Sequence, residues 1–340
     1  MKGFAPKRIA ANILLLAAAT VCALILGEIA LRAVMPEYIE FQSVLIPSEL
    51  TIRKLKPNIN RKLIHPANGE PSFYLTTNSL GLRSNREFAF QVPEKTKRVL
   101  CLGDSYTFGF GVEAEETYPM YLEEILNNNS GDTCEYEVIN SGFNNGMATD
   151  AQYLYLRDIG MRFHPDLVIV GFCIANDLID MFKNEWVVNE DGGLTKIFNL
   201  NDRLIPVFLR RTALFAVIKT ILLPAKVEEK NIDRLDRKMM DRVEYLLLEM
   251  RRLSKKRHFK FLFLIIPPPN LVEKRDLKGS WSEMRHELIR FCSQKDIPYL
   301  DLLMGMENND YFVGKAHFTK NGNKKVAEMI YDRLADMTPE

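Results

Sequence analysis

No two cysteines in this sequence are spaced as CxxC, and the five present (Cys22, Cys101, Cys134, Cys173, Cys292) form an odd, scattered set. That excludes a disulfide framework and a site built from paired thiolates, and it leaves the cysteines as small apolar residues for a core. An excess of either charge is also lacking: Lys plus Arg number 45 and Asp plus Glu 44, a formal charge of +1. With no overall basic field, nucleic acid is not an expected partner. Glycine (18) and proline (16) are present at ordinary levels, and no internal repeat is visible, so collagen-like and low-complexity chains are excluded. The 340 residues that remain to be explained are 47% hydrophobic and 26% charged. They suffice for one large domain or two small ones with a sizeable core.

One long apolar run stands out. Ile9 to Gly27 reads IAANILLLAAATVCALILG, nineteen residues without a charge. At about 1.5 Å per residue, such a helix nearly crosses a hydrocarbon core of about 30 Å. Lys2, Lys7 and Arg8 precede it, and Glu28, Arg32, Glu37 and Glu40 follow. This asymmetry predicts a single-pass anchor in the cytoplasmic membrane, with the N-terminus in the cytoplasm and the rest outside it, periplasmic or extracellular. The rival is a cleaved signal peptide, but no A-x-A site closes the run, and Ala19-Thr20-Val21 before Cys22 makes a poor lipoprotein signal.

Beyond the anchor (residues 1–36), residues 37–97 are rich in turn formers and charge, with short candidate strands such as Phe73-Tyr74-Leu75. They read as an irregular lead-in that packs on the main domain, which occupies residues 98–340. There, short apolar strands at Val99–Leu102, Val138–Asn140, Leu167–Phe172 and Phe261–Ile266 alternate with helical stretches at Tyr118–Asn127 and Leu235–Leu253. Such alternation predicts an α/β fold, a parallel sheet with helices on both faces and ligands at the carboxyl ends of the strands. A helical insertion is expected at about 195–256. Its apolar part, Ile205 to Leu223, is broken by Arg210, Arg211 and Lys219 and is therefore not a second span. It covers one face of the domain or forms a membrane-facing or lid surface.

Four pieces with chemical potential fall at strand ends. Gly103-Asp104-Ser105-Tyr106-Thr107-Phe108-Gly109 puts a hydroxyl at the mouth of the sheet, where its own backbone N–H can help bind an oxyanion. Asn140-Ser141-Gly142-Phe143-Asn144-Asn145-Gly146 is small enough for backbone to approach a ligand. Asn176-Asp177 follows the third strand, and its side-chain amide can donate to the same oxyanion. His317, before a terminal helix, can take the Ser105 proton as general base. Each piece alone is weak; their order and placement on separate strands make the combination specific.

In these blocks (Val99–Tyr106, Asn140–Gln152, Gly171–Asp177 and His317–Asn323) the chain resembles the SGNH hydrolases, also called GDSL esterases and lipases. The resemblance covers roughly residues 98 to 335. The lead-in Tyr74–Arg83 (YLTTNSLGLR) also resembles the segment before the catalytic domain in membrane-anchored bacterial members. It implies a three-layer α/β/α sandwich with a flavodoxin-like sheet and ester hydrolysis through an acyl-serine intermediate. Ser105 would be the nucleophile and His317 the base. The Ser105 backbone, a glycine of the second block and the Asn176 side chain would donate to the oxyanion. No metal or organic cofactor is implied. Two positions depart from the pattern. Where the family carries an Asp three residues before the His, this chain has Gly314. Either Asp310 loops back to the imidazole, or a backbone carbonyl orients a Ser–His dyad. In the second block Gly146 fits the pattern better than Gly142.

Other tempting residues read as structural. Asp104 is expected to tie down its own loop, and Asp177 to be structural. His65, His164, His258 and His286 lie in loops or helices without evident partners. Tyr106 and Phe108 line the site or pack on the sheet.

The expected protein is thus a membrane-anchored serine esterase. Its expected substrates are O-acyl groups of cell-surface or exported glycans, because an anchored domain meets substrates made nearby. Acyl transfer to a glycan hydroxyl, glycan binding without turnover (favoured by Gly314) and a lysophospholipase are the alternatives. Protein partners leave no readable mark. An uncleaved anchor predicts that sequencing the N-terminus of the membrane-bound protein finds a start before Ile9; a mature chain beginning near residue 30 would overturn it.

Overall fold

A computed structural model describes residues 5–34, 44–48, 52–63, 71–131, 134–142, 148–175, 177, 181, 185–188, 194–197, 212, 214, 237–274, 279–312 and 316–337. The apolar N-terminal run lies in helix α1 (Ala5–Val34). Within it, Arg8–Val34 is long and apolar enough to cross a membrane, and none of the apolar window is buried by the rest of the chain. Leu14, Leu15 and Leu16 stand exposed on the helix. At its far end Glu28 pairs with Arg32 and accepts the Leu214 N–H at 3.0 Å.

The lead-in forms two antiparallel pairs, β1 (Leu45–Ser48) with β2 (Ile52–Leu55), and β3 (Asn60–Leu63) with β4 (Phe73–Thr76). Leu55, Leu63, Phe73 and Leu75 form a small core of their own, which closes on Phe108 and Phe110 of the main domain.

The main sheet contains β5 (Thr96–Leu102), β6 (Glu135–Asn140), β7 (Leu167–Cys173), β10 (Lys260–Ile266) and β11 (Tyr299–Asp301). All its pairings are parallel, in the spatial order β6-β5-β7-β10-β11. Each of the four longer strands contains an expected one. The fifth, only three residues long and half-buried, gives no apolar run to read. Between them lie α2 (Ser105–Phe108), α3 (Tyr118–Asn129), α4 (Thr149–Asp158), α5 (Arg237–Arg257), α6 (Pro269–Lys274), α7 (Ser280–Gln294) and α8 (Lys320–Asp336). Helices α3 and α8 pack together on one face, while α4, α5 and α7 form the other layer. Strand β7 is buried along its whole length, as a central strand covered on both faces must be. Cys101, Cys173 and Cys292 are buried and lie outside any disulfide.

The expected insertion at 195–256 begins in a strand rather than a helix. β8 (Glu185–Val188) and β9 (Leu194–Ile197) form an antiparallel pair. Its last part, from Arg237, is α5, the crossover helix that a right-handed parallel connection requires. Apart from residues 212 and 214, the apolar segment 205–223 lies outside the described residues.

Arg98 holds the start of β5 in place. Its fully buried guanidinium pairs with Glu137 of β6 at 2.8 Å and donates to the carbonyls of Phe163, Phe90 and Gln91, while its backbone N–H donates to Asp166. Arg98→Met is expected to leave these acceptors unmet and lower the unfolding free energy by about 3 kcal/mol in urea titration. A change within error would show that the pair contributes little.

Candidate active site

Strand β5 turns straight into α2 because Gly103 has no side chain; a Cβ there would sit 1.9 Å from Thr107 Oγ1. Asp104 caps the turn, its carboxylate accepting the Tyr106 N–H at 2.9 Å. Gly109, at φ +83°, ends it in the left-handed region, where a Cβ would meet Thr117. Ser105 occupies the first position of the turn, so its N–H has no acceptor within it.

His317 reaches this hydroxyl from the loop before α8, with Nε2 2.7 Å from Ser105 Oγ. The loop is pinned on several sides. Tyr311 and Phe318 form an antiparallel bridge, Phe312 N–H donates to the His317 carbonyl at 3.0 Å, and Tyr311 Oη donates to the Pro267 carbonyl at 2.9 Å. Tyr106 Oη donates to the Ala316 carbonyl at 2.7 Å. Burial pushes the Tyr106 phenol far above its ordinary pKa, with Cys173, Tyr311 and Asp104 adding to the shift, so it remains a neutral donor. Gly322 lets α8 approach closely, since a Cβ there would lie 2.0 Å from the Asp310 carbonyl oxygen. Asn323 then accepts the Tyr118 N–H at 3.0 Å, tying α8 to α3.

The imidazole is flanked by aromatic rings. Phe110 stacks on it, with centroids 5.2 Å apart and planes at 24°, and Tyr106 approaches at 5.3 Å and 56°. Phe110 escapes a reading of the sequence because it lies outside the Gly-Asp-Ser block. The pointer was its setting, a large aromatic between Gly109 and Gly111, both at positive φ.

The structure therefore brings Ser105 and His317 together. Gly146, Asn176 and Gly314 lie outside the described residues. Gly142, the other candidate of the second block, is a packing residue: its N–H donates to Asn140 Oδ1 at 3.0 Å, and a Cβ would lie 2.2 Å from Phe108 N. Asp310 is engaged elsewhere, accepting from the Glu307 N–H at 2.8 Å and pairing with Lys325 at 3.1 Å. Asp177 accepts the Cys173 N–H. His164 and His258 are exposed at turns and His286 is exposed on α7, while His65 is outside the described residues. Among the described residues, no group of three His, Cys, Asp or Glu side chains is placed to hold a metal.

A serine hydroxyl against an imidazole, at the carboxyl ends of parallel strands, is the arrangement of a hydrolase. The family described as GDSL-like lipase/acylhydrolase matches residues 101–325, and the chain belongs to that family, an SGNH-type esterase by class. No curated protein matches it. Solved structures similar to it include a GDSL-like lipase from Bacteroides thetaiotaomicron VPI-5482, 15% identical, with a TM-score of 0.41 over 74% of this chain and 93% of that one. The psychrotrophic esterase EstA from Pseudoalteromonas sp. is 13% identical, with a TM-score of 0.41 over 71% and 98%. An acetyl xylan esterase is 16% identical, with a TM-score of 0.41 over 69% and 98%.

Gly142→Ala should force the Phe108 backbone away from β6. The expected cost is about 2 kcal/mol of stability in urea titration, together with reduced esterase activity, because the Ser105 turn moves with it. Unchanged stability would show that the turn can yield.

Proposed function

We propose that this chain hydrolyses esters through an acyl-serine intermediate. In this reading, α1 anchors it in the cytoplasmic membrane with residues 98–340 on the outer side. Its substrates are O-acyl groups of cell-surface or exported glycans. The observation that carries the chemistry is the 2.7 Å approach of His317 Nε2 to Ser105 Oγ. Nucleophile and base are within hydrogen-bond reach, as proton transfer requires.

His317 takes the proton as Ser105 Oγ attacks the ester carbonyl. The oxyanion forms beside the Ser105 N–H, with the Gly146 N–H and the Asn176 amide as the further donors that family membership implies. Collapse of this intermediate breaks the bond to the alcohol, which leaves with the proton from His317. Water then attacks the acyl-serine, its proton passing to His317 and on to Ser105 Oγ as the carboxylic acid departs. Oriented protein dipoles and one imidazole suffice for each step.

The anchor reading is supported by the unburied apolar face of α1 and the basic residues Lys7 and Arg8 near its start. The glycan assignment follows from that location, since an enzyme held at the membrane surface meets polymers as they are exported.

The test uses the full chain in detergent with p-nitrophenyl acetate and longer-chain esters. Ser105→Ala and His317→Ala are each expected to lower kcat/KM by about two orders of magnitude or more. Preference for acetyl over long acyl chains would support a glycan O-acyl substrate; preference for long chains would replace it with a lipid. Equal background rates in all three proteins would overturn the hydrolase reading.

A further inference from the structure

The family's usual orienting carboxylate is replaced by Gly314 in this sequence, and Asp310 is committed to its own turn and to Lys325. The described contact that lies flat on the His317 ring is Phe110, and Phe110 is held by the lead-in. Its ring is nearly fully buried and meets Phe73 of β4 edge-on, with centroids at 5.5 Å and planes at 77°. Its backbone belongs to a loop gripped by a single side chain, Arg83. One guanidinium nitrogen donates to the carbonyls of Phe108, at 2.6 Å, and Gly109; the other donates to the carbonyl of Val112. The guanidinium plane also lies over the rings of Phe73, at 4.7 Å, and Phe108, at 4.5 Å.

Arg83 is itself presented by a built turn. Asn78 Oδ1 accepts the N–H groups of Leu80 and Leu82, each at 3.0 Å, and Asn78 Nδ2 donates to the Arg86 carbonyl at 2.9 Å. Gly81, at φ +77°, passes so close to β2 that a Cβ would lie 2.6 Å from the Leu55 carbonyl oxygen. Burial draws the Arg83 pKa down to about 9, against the pull of Glu113, Glu115 and Glu116, so it is still a cation at neutral pH. A buried cation with three carbonyls and two ring faces around it is a costly device for mere packing. The three carbonyls it fastens flank Phe110, which stacks on the imidazole.

Resting on the Ser105–His317 reading above, we infer that Arg83 and Phe110 are positioning residues for His317. Arg83 fixes the 108–112 loop, and Phe110 uses that fixed position to hold the imidazole plane toward Ser105. Its negative π face also stabilises the imidazolium that forms when His317 takes the Ser105 proton. The contact thus does part of the orienting and charge-stabilising work that a carboxylate does elsewhere. It also gives the lead-in a direct part in the chemistry. Among the described residues, Ser105 and Tyr106 meet the ring directly on this side, and Arg83 holds the loop that carries Phe110.

The test measures p-nitrophenyl acetate hydrolysis by the full chain in detergent, alongside Ser105→Ala and His317→Ala. Phe110→Leu keeps the apolar volume and removes the π face. It is expected to lower kcat about tenfold with little change in KM, because the ring is no longer held toward Ser105 and the imidazolium loses its π face. Phe110→Tyr, which keeps the face, should restore kcat. Arg83→Lys keeps the charge and loses the fork, and should reduce kcat in the same direction. If Ser105→Ala and His317→Ala abolish activity while Phe110→Leu matches the wild type in kcat, the positioning inference is wrong. Loss of kcat in Phe110→Leu with no recovery in Phe110→Tyr would also overturn it, leaving a packing role. If Ser105→Ala and His317→Ala are as active as the wild type, it is the Ser–His reading that fails.

Discussion

The parallel pairing of β5 with β7 is the constraint on which the site depends. The chain passes from β5 out to β6 on one side, then returns across β5 to β7 and continues to β10 and β11 on the other. Winding therefore reverses between β5 and β7, and the loops leaving their carboxyl ends diverge into a crevice. Ser105 stands on the first of those loops. His317 comes from the opposite end of the sequence, and the bonds of Ala316 to Tyr106, of Tyr311 to Pro267 and of Asn323 in α8 to α3 return it to the same crevice. The backbone hydrogen bonds of the sheet set this geometry before any catalytic side chain is considered.

Around that crevice the described residues include stacked aromatic rings and one buried cation. A charge removed from water is tolerated only when its hydrogen bonds are met. Arg83 meets that condition at its two terminal nitrogens, which donate to carbonyls of the loop it stabilises, while its buried Nε has no acceptor. Phe73, Phe108 and Phe110 complete the enclosure, and Phe110 turns its remaining face to His317. The lead-in strands thus form part of the wall behind the site.

Much of this was legible in order along the chain. Runs such as Val99–Leu102 and Phe261–Ile266 are apolar because both faces of a parallel strand are covered, and that pattern survives without any knowledge of partners. Gly103 and Asp104 are legible for a similar reason: a strand that turns at once into a helix needs a glycine and a cap, both local requirements, and together they put Ser105 at its first position. Tyr299–Asp301 was not legible, since an edge strand of three half-buried residues leaves no periodic signature. Nor was the hairpin Glu185–Val188 with Leu194–Ile197, because a two-stranded pair is defined by its partner more than by its composition. Gly142 looked like a possible oxyanion donor from its setting. Only its commitment to Asn140 and its contact with the Phe108 backbone mark it as a packing glycine.

The sequence by itself determined the apolar N-terminal segment, the alternating α/β pattern, and the serine and histidine that the fold brings together. These depend on residue type and short-range spacing. Tertiary structure alone decided that Phe110 stacks on His317 and that Arg83 supports Phe110. The contacts of Arg83 with that loop span 25 to 29 positions and that of Phe110 with His317 spans 207, and no local pattern encodes which buried ring or cation will meet across such separations. What selects them is the closing of the lead-in's small core on the α2 loop, a packing event that exists only once the sheet has formed.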